Sequence, residues 1–188
     1  NALIAFADGA YIELIAFFEP NPTHRWSQLL EAGGGLIDYC MQTNDLEADS
    51  AAFRAVGVPM TEKMPLSRVR PDGYKLDWVL AIPTTTQGYT PFLIEDITPR
   101  GERMPKQTVH ANGVTGIGTL TIVVSDRFAA DAFGKVAGSE GTPITRPEIA
   151  VAGIRHTSDI HTFDFITPSG PGGVAERLEQ RGNLIMGA

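Results

Sequence analysis

A single cysteine, Cys40, occurs in the 188 residues, which excludes an internal disulfide and any multi-cysteine zinc or iron–sulfur site. No basic run is present either. Lys and Arg number 15 against 22 Asp and Glu, a net charge of −7, so the clustered cations needed to grip a phosphate backbone are missing. No apolar run approaches the roughly 18 residues of a membrane span. Together these absences predict a soluble, cytoplasmic protein that engages neither nucleic acid nor membrane. Gly-x-Ser-x-Gly is absent, and no nucleophile–base pair has diagnostic spacing. The chain also opens on Asn-Ala-Leu-Ile, without Met or a signal peptide, as if already inside a structured element.

What is abundant is turn chemistry: 20 Gly and 13 Pro, too few for a collagen-like or disordered chain. The length allows one large domain or two small ones. Leu3–Phe6, Asp8-Gly9 and Tyr11–Phe18 read as a hairpin, followed by a short helix through Trp26, Leu29 and Leu30 that stops at Gly33-Gly34-Gly35. Leu36–Thr43 reads as a strand. Asn44-Asp45 then caps a helix through Leu46, Ala48, Ala52 and Phe53 that ends at Gly57. Residues 60–73 read as a loop carrying Arg68 and Arg70, and strands are expected over Tyr74–Ile82 and Pro91–Ile97. Pro99–Asn112 is polar and irregular, the best linker.

Beyond it the pattern returns. With Gly35 laid on Gly116, Asp45 falls on Asp126, Ala48 on Ala129, Ala51 on Ala132 and Gly57 on Gly138. Ile97-Thr98-Pro99 echoes Ile166-Thr167-Pro168. An internal duplication of a β-α-β-β-β unit is the economical reading.

Tyr11-Ile12-Glu13-Leu14, Gly35-Leu36-Ile37-Asp38, Thr43-Asn44-Asp45-Leu46, Phe53–Val58, Pro91–Glu95 and His110–Gly113, in this order, resemble the glyoxalase-like domain group of the vicinal oxygen chelate superfamily. The resemblance implies an α+β fold: repeated βαβββ modules forming curled mixed β-sheets around a cup. Residues 1–108 would hold a first module lacking its N-terminal strand plus a second module. Residues 109–188 would hold a further module truncated at the C-terminus.

The resemblance also implies a metal-dependent enzyme of glyoxalase or dioxygenase type, a lyase or dioxygenase, acting on a small substrate with vicinal oxygens. A non-catalytic small-molecule binder using the same cup is the alternative. Fourth-strand acids Glu13 and Glu95, with Asp38 where metal-binding members carry His, would be the metal ligands, and Asp38 the ligand or catalytic base. This all-oxygen set suits Mg, Mn or Fe(II) more than Zn, with Ni a further possible cation. Arg68 and Arg70 would hold a substrate carboxylate. A homodimer that completes the cup would fit a chain short of strands.

Other residues have plainer readings. Cys40 is a packing residue, His110 a turn residue and His24 a surface residue. His156 and His161 are five apart, so a helix would not bring them to one face. Gly170–Gly173 is a turn that lacks the Lys and Ser/Thr of a phosphate loop.

Overall fold

The computed structural model describes residues 1–86 and 88–188. The chain starts with an antiparallel hairpin, β1 (Ala2–Ala5) and β2 (Tyr11–Leu14), turned at Gly9, followed by a short helix α1 (Ser27–Glu31). A four-stranded sheet follows, from β3 (Cys40–Gln42), helix α2 (Leu46–Ala55), β4 (Met64–Val69), β5 (Lys75–Ala81) and β6 (Phe92–Asp96). After the one-turn helix α3 (Arg100–Arg103) come β7 (Thr119–Val123), α4 (Phe128–Ala137), β8 (Thr142–Arg146), β9 (Val151–Ser158) and β10 (His161–Pro168). Helix α5 (Gly173–Arg181) and β11 (Leu184–Gly187) close the chain.

The sheet orders are β3-β6-β5-β4 and β11-β7-β10-β9-β8. In each, the first strand of the β-α-β-β-β run lies parallel to the fourth, and the other pairs are antiparallel. The fold is therefore α+β with mixed sheets, and one topology occurs twice.

Local chemistry explains the repeated helix. Asp45 accepts a hydrogen bond from the Ala48 amide at 3.0 Å, satisfying one of the orphan donors of the first turn, where Glu47 and Asp49 also suit the helix dipole. Asp126 does the same work for α4 through the Phe128 amide at 2.8 Å. Gly138 ends α4 in the left-handed conformation (φ 63°) that a side chain would resist. Leu46 and Phe53 of α2 pack on Val79, Ala81 and Leu93. Ala129, Ala130 and Phe133 of α4 pack on Ile122, Phe163 and Phe165. Met41 contacts both clusters and Ala132 of α4 joins the first, so the two units share core.

Three expected elements differ. Residues 64–69 form β4 rather than loop, although all six are exposed. They are an edge strand, whose Pro65 sits where only one side needs ladder bonds, so the apolar signal of a buried strand is absent. The strand expected over Leu36–Thr43 shrinks to Cys40–Gln42, because Asp38 spends its carboxylate on Arg25, Trp26 and the Tyr39 amide. The linker is tied down. His110 Nε2 lies 2.8 Å from the Ala5 carbonyl, and Asp8 accepts from the Ile117 amide at 2.8 Å.

His156 is buried on β9 beneath α4, with Nδ1 3.2 Å from Ser139 Oγ and no partner for Nε2 among the described residues. His161, across the turn at Asp159, instead meets the Ile117 carbonyl at 2.8 Å. Burial pulls the His156 pKa down, against smaller opposing contributions from Ser139 and Asp131. A depressed folded pKa means full stability above the unfolded value of about 6.5, lost as pH falls through the window below it. The urea midpoint should therefore drop between pH 7.5 and 5 in the parent and drop less in His156→Phe. Equal drops in the two proteins would remove His156 as the cause.

Candidate functional site

Alternation along the strands decides which residues share a face. Met41, Val79, Ala81 and Leu93 lie under α2, so by register Glu95 does too. There its Oε2 accepts from the Leu46 amide at 3.2 Å, adding a second acceptor at the helix start. The opposite, far face carries Cys40 and Gln42 of β3, Phe92, Ile94 and Asp96 of β6, Trp78 and Leu80 of β5, and Leu66 and Arg68 of β4. The hairpin stands over this face. Tyr11 Oη is 3.2 Å from Arg103 Nη1, and Arg103 in turn grips Asp96.

The Arg103–Asp96 pair is a two-pronged fork, Nε to Oδ1 at 2.6 Å and Nη2 to Oδ2 at 2.9 Å, with side chains 8% and 5% exposed. Burial alone would raise the Asp96 carboxyl, but the fork from Arg103, helped by Gln42, holds it below the ordinary carboxylate range. Burial likewise pushes the Tyr11 phenol and the Cys40 thiol up, so Cys40 stays protonated and is no nucleophile. Beside this pair opens a cleft of about 410 Å³. Leu3 of β1, Arg68 and Arg70, Arg103, Met104 and Lys106 line it, with Glu102 as the one acid. Arg70 is committed to Asp72 and to Glu102, the latter at 2.8 Å. Arg68 makes no ion pair among the described residues.

The three carboxylates expected from the sequence do not meet. Glu13 pairs with the Asn1 side-chain amide. Asp38 is fully engaged, Oδ2 by Arg25 and by Trp26 Nε1 at 2.8 Å, and Oδ1 by the Tyr39 amide at 2.9 Å. Burial pushes its carboxyl up against those donors, which already engage both oxygens. Glu95 is on the helix side. Among the described residues no three His, Cys, Asp or Glu are placed to hold a metal ion. Each of the three expected carboxylates is already engaged where it stands, Asp38 by the Arg25 guanidinium, Glu95 by the Leu46 amide and Glu13 by Asn1, so together they do not fit a divalent cation. Sequence reasoning passed over Arg103 and Asp96. A carboxylate at Asp96 followed by a basic residue on the next helical turn, in Arg100–Arg103, was the available signal.

Two sheets of strand order first-fourth-third-second, each carrying its helix on one face, are the architecture of the vicinal oxygen chelate superfamily. A family model described as a glyoxalase-like domain matches residues 1–136. The chain belongs to that glyoxalase-like domain family. Solved structures similar to it include a mutant of 4-hydroxymandelate synthase from Streptomyces coelicolor, at 16% identity over 88% of this chain and 52% of that one, TM-score 0.57. A hypothetical protein from Staphylococcus aureus matches at 15% identity over 80% of this chain and 62% of that one, TM-score 0.53. At these identities the likeness speaks for the fold, and the chain spans only about half to three-fifths of those structures. No curated protein matches the sequence. No helix among the described residues is long and apolar enough to cross a membrane.

Proposed function

We propose that the chain binds a small anionic ligand, a carboxylate with an adjacent oxygen, in the cleft between the hairpin and the far face of the first sheet. The observation that carries this reading is the lining: Arg68, Arg70, Arg103 and Lys106 against the single acid Glu102. Arg103 is fixed by Asp96 and Arg70 by its two acids, which leaves Lys106 and Arg68 without an ion pair among the described residues, and of these Arg68 carries the guanidinium. Its planar fork suits a carboxylate, and Leu3 and Met104 supply apolar walls for the remainder of the ligand.

The metal-dependent glyoxalase or dioxygenase reading, with Mn, Fe, Mg, Ni or Zn, rests on Glu13. It would need ligands other than Asp38 and Glu95 beside it. One experiment separates the two. Titration calorimetry with oxalate should give saturable binding that Arg68→Gln weakens about tenfold, the loss of one charge-assisted contact of about 1.4 kcal/mol. Oxalate binding indifferent to Arg68→Gln would overturn the binding reading. Stoichiometric retention of a divalent cation that is lost in Glu13→Gln would replace it with the enzymatic one.

A further inference from the structure

The far face of the second sheet is unlike that of the first. By register it carries Thr119 and Thr121 of β7, Thr162 and Asp164 of β10, Arg155 and Thr157 of β9, and Thr142 and Arg146 of β8. Helix α5 covers only one end of this face, through Val174 and Leu178 packed on Val123, Val151 and Ile166. Asp164 is the one acid that the register places on this face.

Asp164 is fully buried on a central strand, where an unpaired carboxylate would be costly. Arg155 alone answers that need: its Nε reaches Oδ1 at 2.6 Å and its Nη2 reaches Oδ2 at 2.8 Å, occupying both oxygens. Yet Arg146, from the next strand, also pairs with Oδ2. The second cation is surplus to satisfying the carboxylate, so the trio carries one net positive charge. Each guanidinium has five N–H donors. Arg155 spends two groups and Arg146 one on Asp164, and neither makes another hydrogen bond among the described residues. Both remain partly open, at 40% and 30% side-chain exposure. The Thr119 and Thr162 hydroxyls, paired at 2.5 Å on the same face, are spent on each other and on the Gly118 carbonyl, so the donors offered to a ligand are those of the two guanidinium groups.

We infer that this face is a second ligand site, distinct from the Arg68 cleft, that takes an oxyanion between Arg146 and Arg155. Asp164 is a positioning residue: it locks the two guanidinium groups at the centre of the sheet, so little side-chain freedom is lost when the anion arrives. Guanidinium donors that come from two strands need not lie in one plane, which favours a tetrahedral group over a planar one. The chemistry is that of a phosphate or phosphonate group, with a carboxylate as the weaker competitor.

Inorganic phosphate and acetate, titrated calorimetrically into the full chain, test this. Phosphate should bind saturably and acetate more weakly. Arg146→Met leaves the Arg155 fork on Asp164 whole, so it should keep the parent's melting behaviour while weakening phosphate at least about tenfold. Arg68→Gln should leave phosphate binding unchanged. The inference falls if the parent shows no saturable phosphate binding, if Arg146→Met binds phosphate like the parent, or if Arg68→Gln abolishes it. That last result would move the anion to the first cleft. Failure of oxalate to respond to Arg68→Gln concerns only that first cleft and leaves this site untouched.

Discussion

Arg103→Ala is expected to destabilise the protein by about 3–5 kcal/mol, the usual cost of removing one partner from a buried ion pair. The figure needs no discount for solvent, because both side chains are almost wholly covered, at 8% and 5% exposure. The loss comes less from the missing attraction than from what remains: an Asp96 carboxylate sealed under the hairpin, with the Tyr11 hydroxyl deprived of its neighbour. Removing both charges with matched apolar volume, Asp96→Leu with Arg103→Met, should recover much of the loss, since no orphaned charge is left. Urea denaturation of the parent, the single variant and the double variant checks this. A double variant as unstable as the sum of its singles would show that the two side chains act independently.

The pair also has a pH signature. Asp96 is held below the ordinary carboxylate range, so its contribution is complete above about pH 4 and is lost as pH falls through the lowered folded value. His156 acts in a different window, below about pH 6.5, with stability again lost toward acid. Two separate steps in acid denaturation, one removed by His156→Phe and the other by the Asp96/Arg103 double variant, are the expected pattern.

The duplication was legible because helix signals are local. Asp45 and Asp126 each accept from an amide of the first turn, and Gly57 and Gly138 each stand at positive φ where the helix ends, with the same spacing in both units. The fold class was what the resemblance to the glyoxalase-like group implied. The face of Glu95 was not legible, and the reason is a matter of register. The Ile-Thr-Pro echo aligns Ile97 with Ile166, but the backbone bonds say otherwise: Thr43 donates to the Ile94 carbonyl, and its counterpart Val124 to the Ile166 carbonyl. Ile94 is therefore the equivalent of Ile166, three residues from the echo. An odd error in a strand moves every side chain to the opposite face. The echo lays Glu95 on Asp164, whereas by the backbone bonds Asp164 corresponds to the apolar Phe92 and Glu95, which the resemblance placed in the cup, lies under α2. Arg68 and Arg70 were singled out for their chemistry and do line the cleft, but Arg68 stands on strand β4 rather than in a loop, with Arg70 just past its end, because an exposed edge strand has no hydrophobic alternation to read. The Asp38 side chain is covered, in an ion pair with Arg25. Its partner Arg25, thirteen residues away, could not be paired with it from spacing, since the glycines at 33–35, all at positive φ, set that chain path.

Gly153→Ala should be the most damaging single-methyl change in the chain. Gly153 faces Ile166 across the β9–β10 ladder, and the corresponding pair in the first sheet is Leu80 with Ile94, where a full side chain is accommodated. The second sheet has no such room. A β-carbon on Gly153 would overlap the Phe165 carbonyl oxygen and stand 2.9 Å from Ile166 Cα, and both are backbone atoms of a central strand that cannot swing aside. Ordinary overpacking costs about 1–3 kcal/mol where side chains can give way. Here the two strands must part, so a loss at or above about 3 kcal/mol is expected. Separation of β9 from β10 would also pull Arg155 from Asp164, because Arg155 lies two residues along the same face. Phosphate affinity should then fall together with stability, unlike in Arg146→Met, where the two come apart. Gly118→Ala is the control, since a β-carbon there meets nothing within 4 Å. Denaturation midpoints and phosphate titrations on both variants decide the matter. A Gly153→Ala protein as stable as Gly118→Ala would mean that β9 and β10 are not packed as closely as the ladder requires.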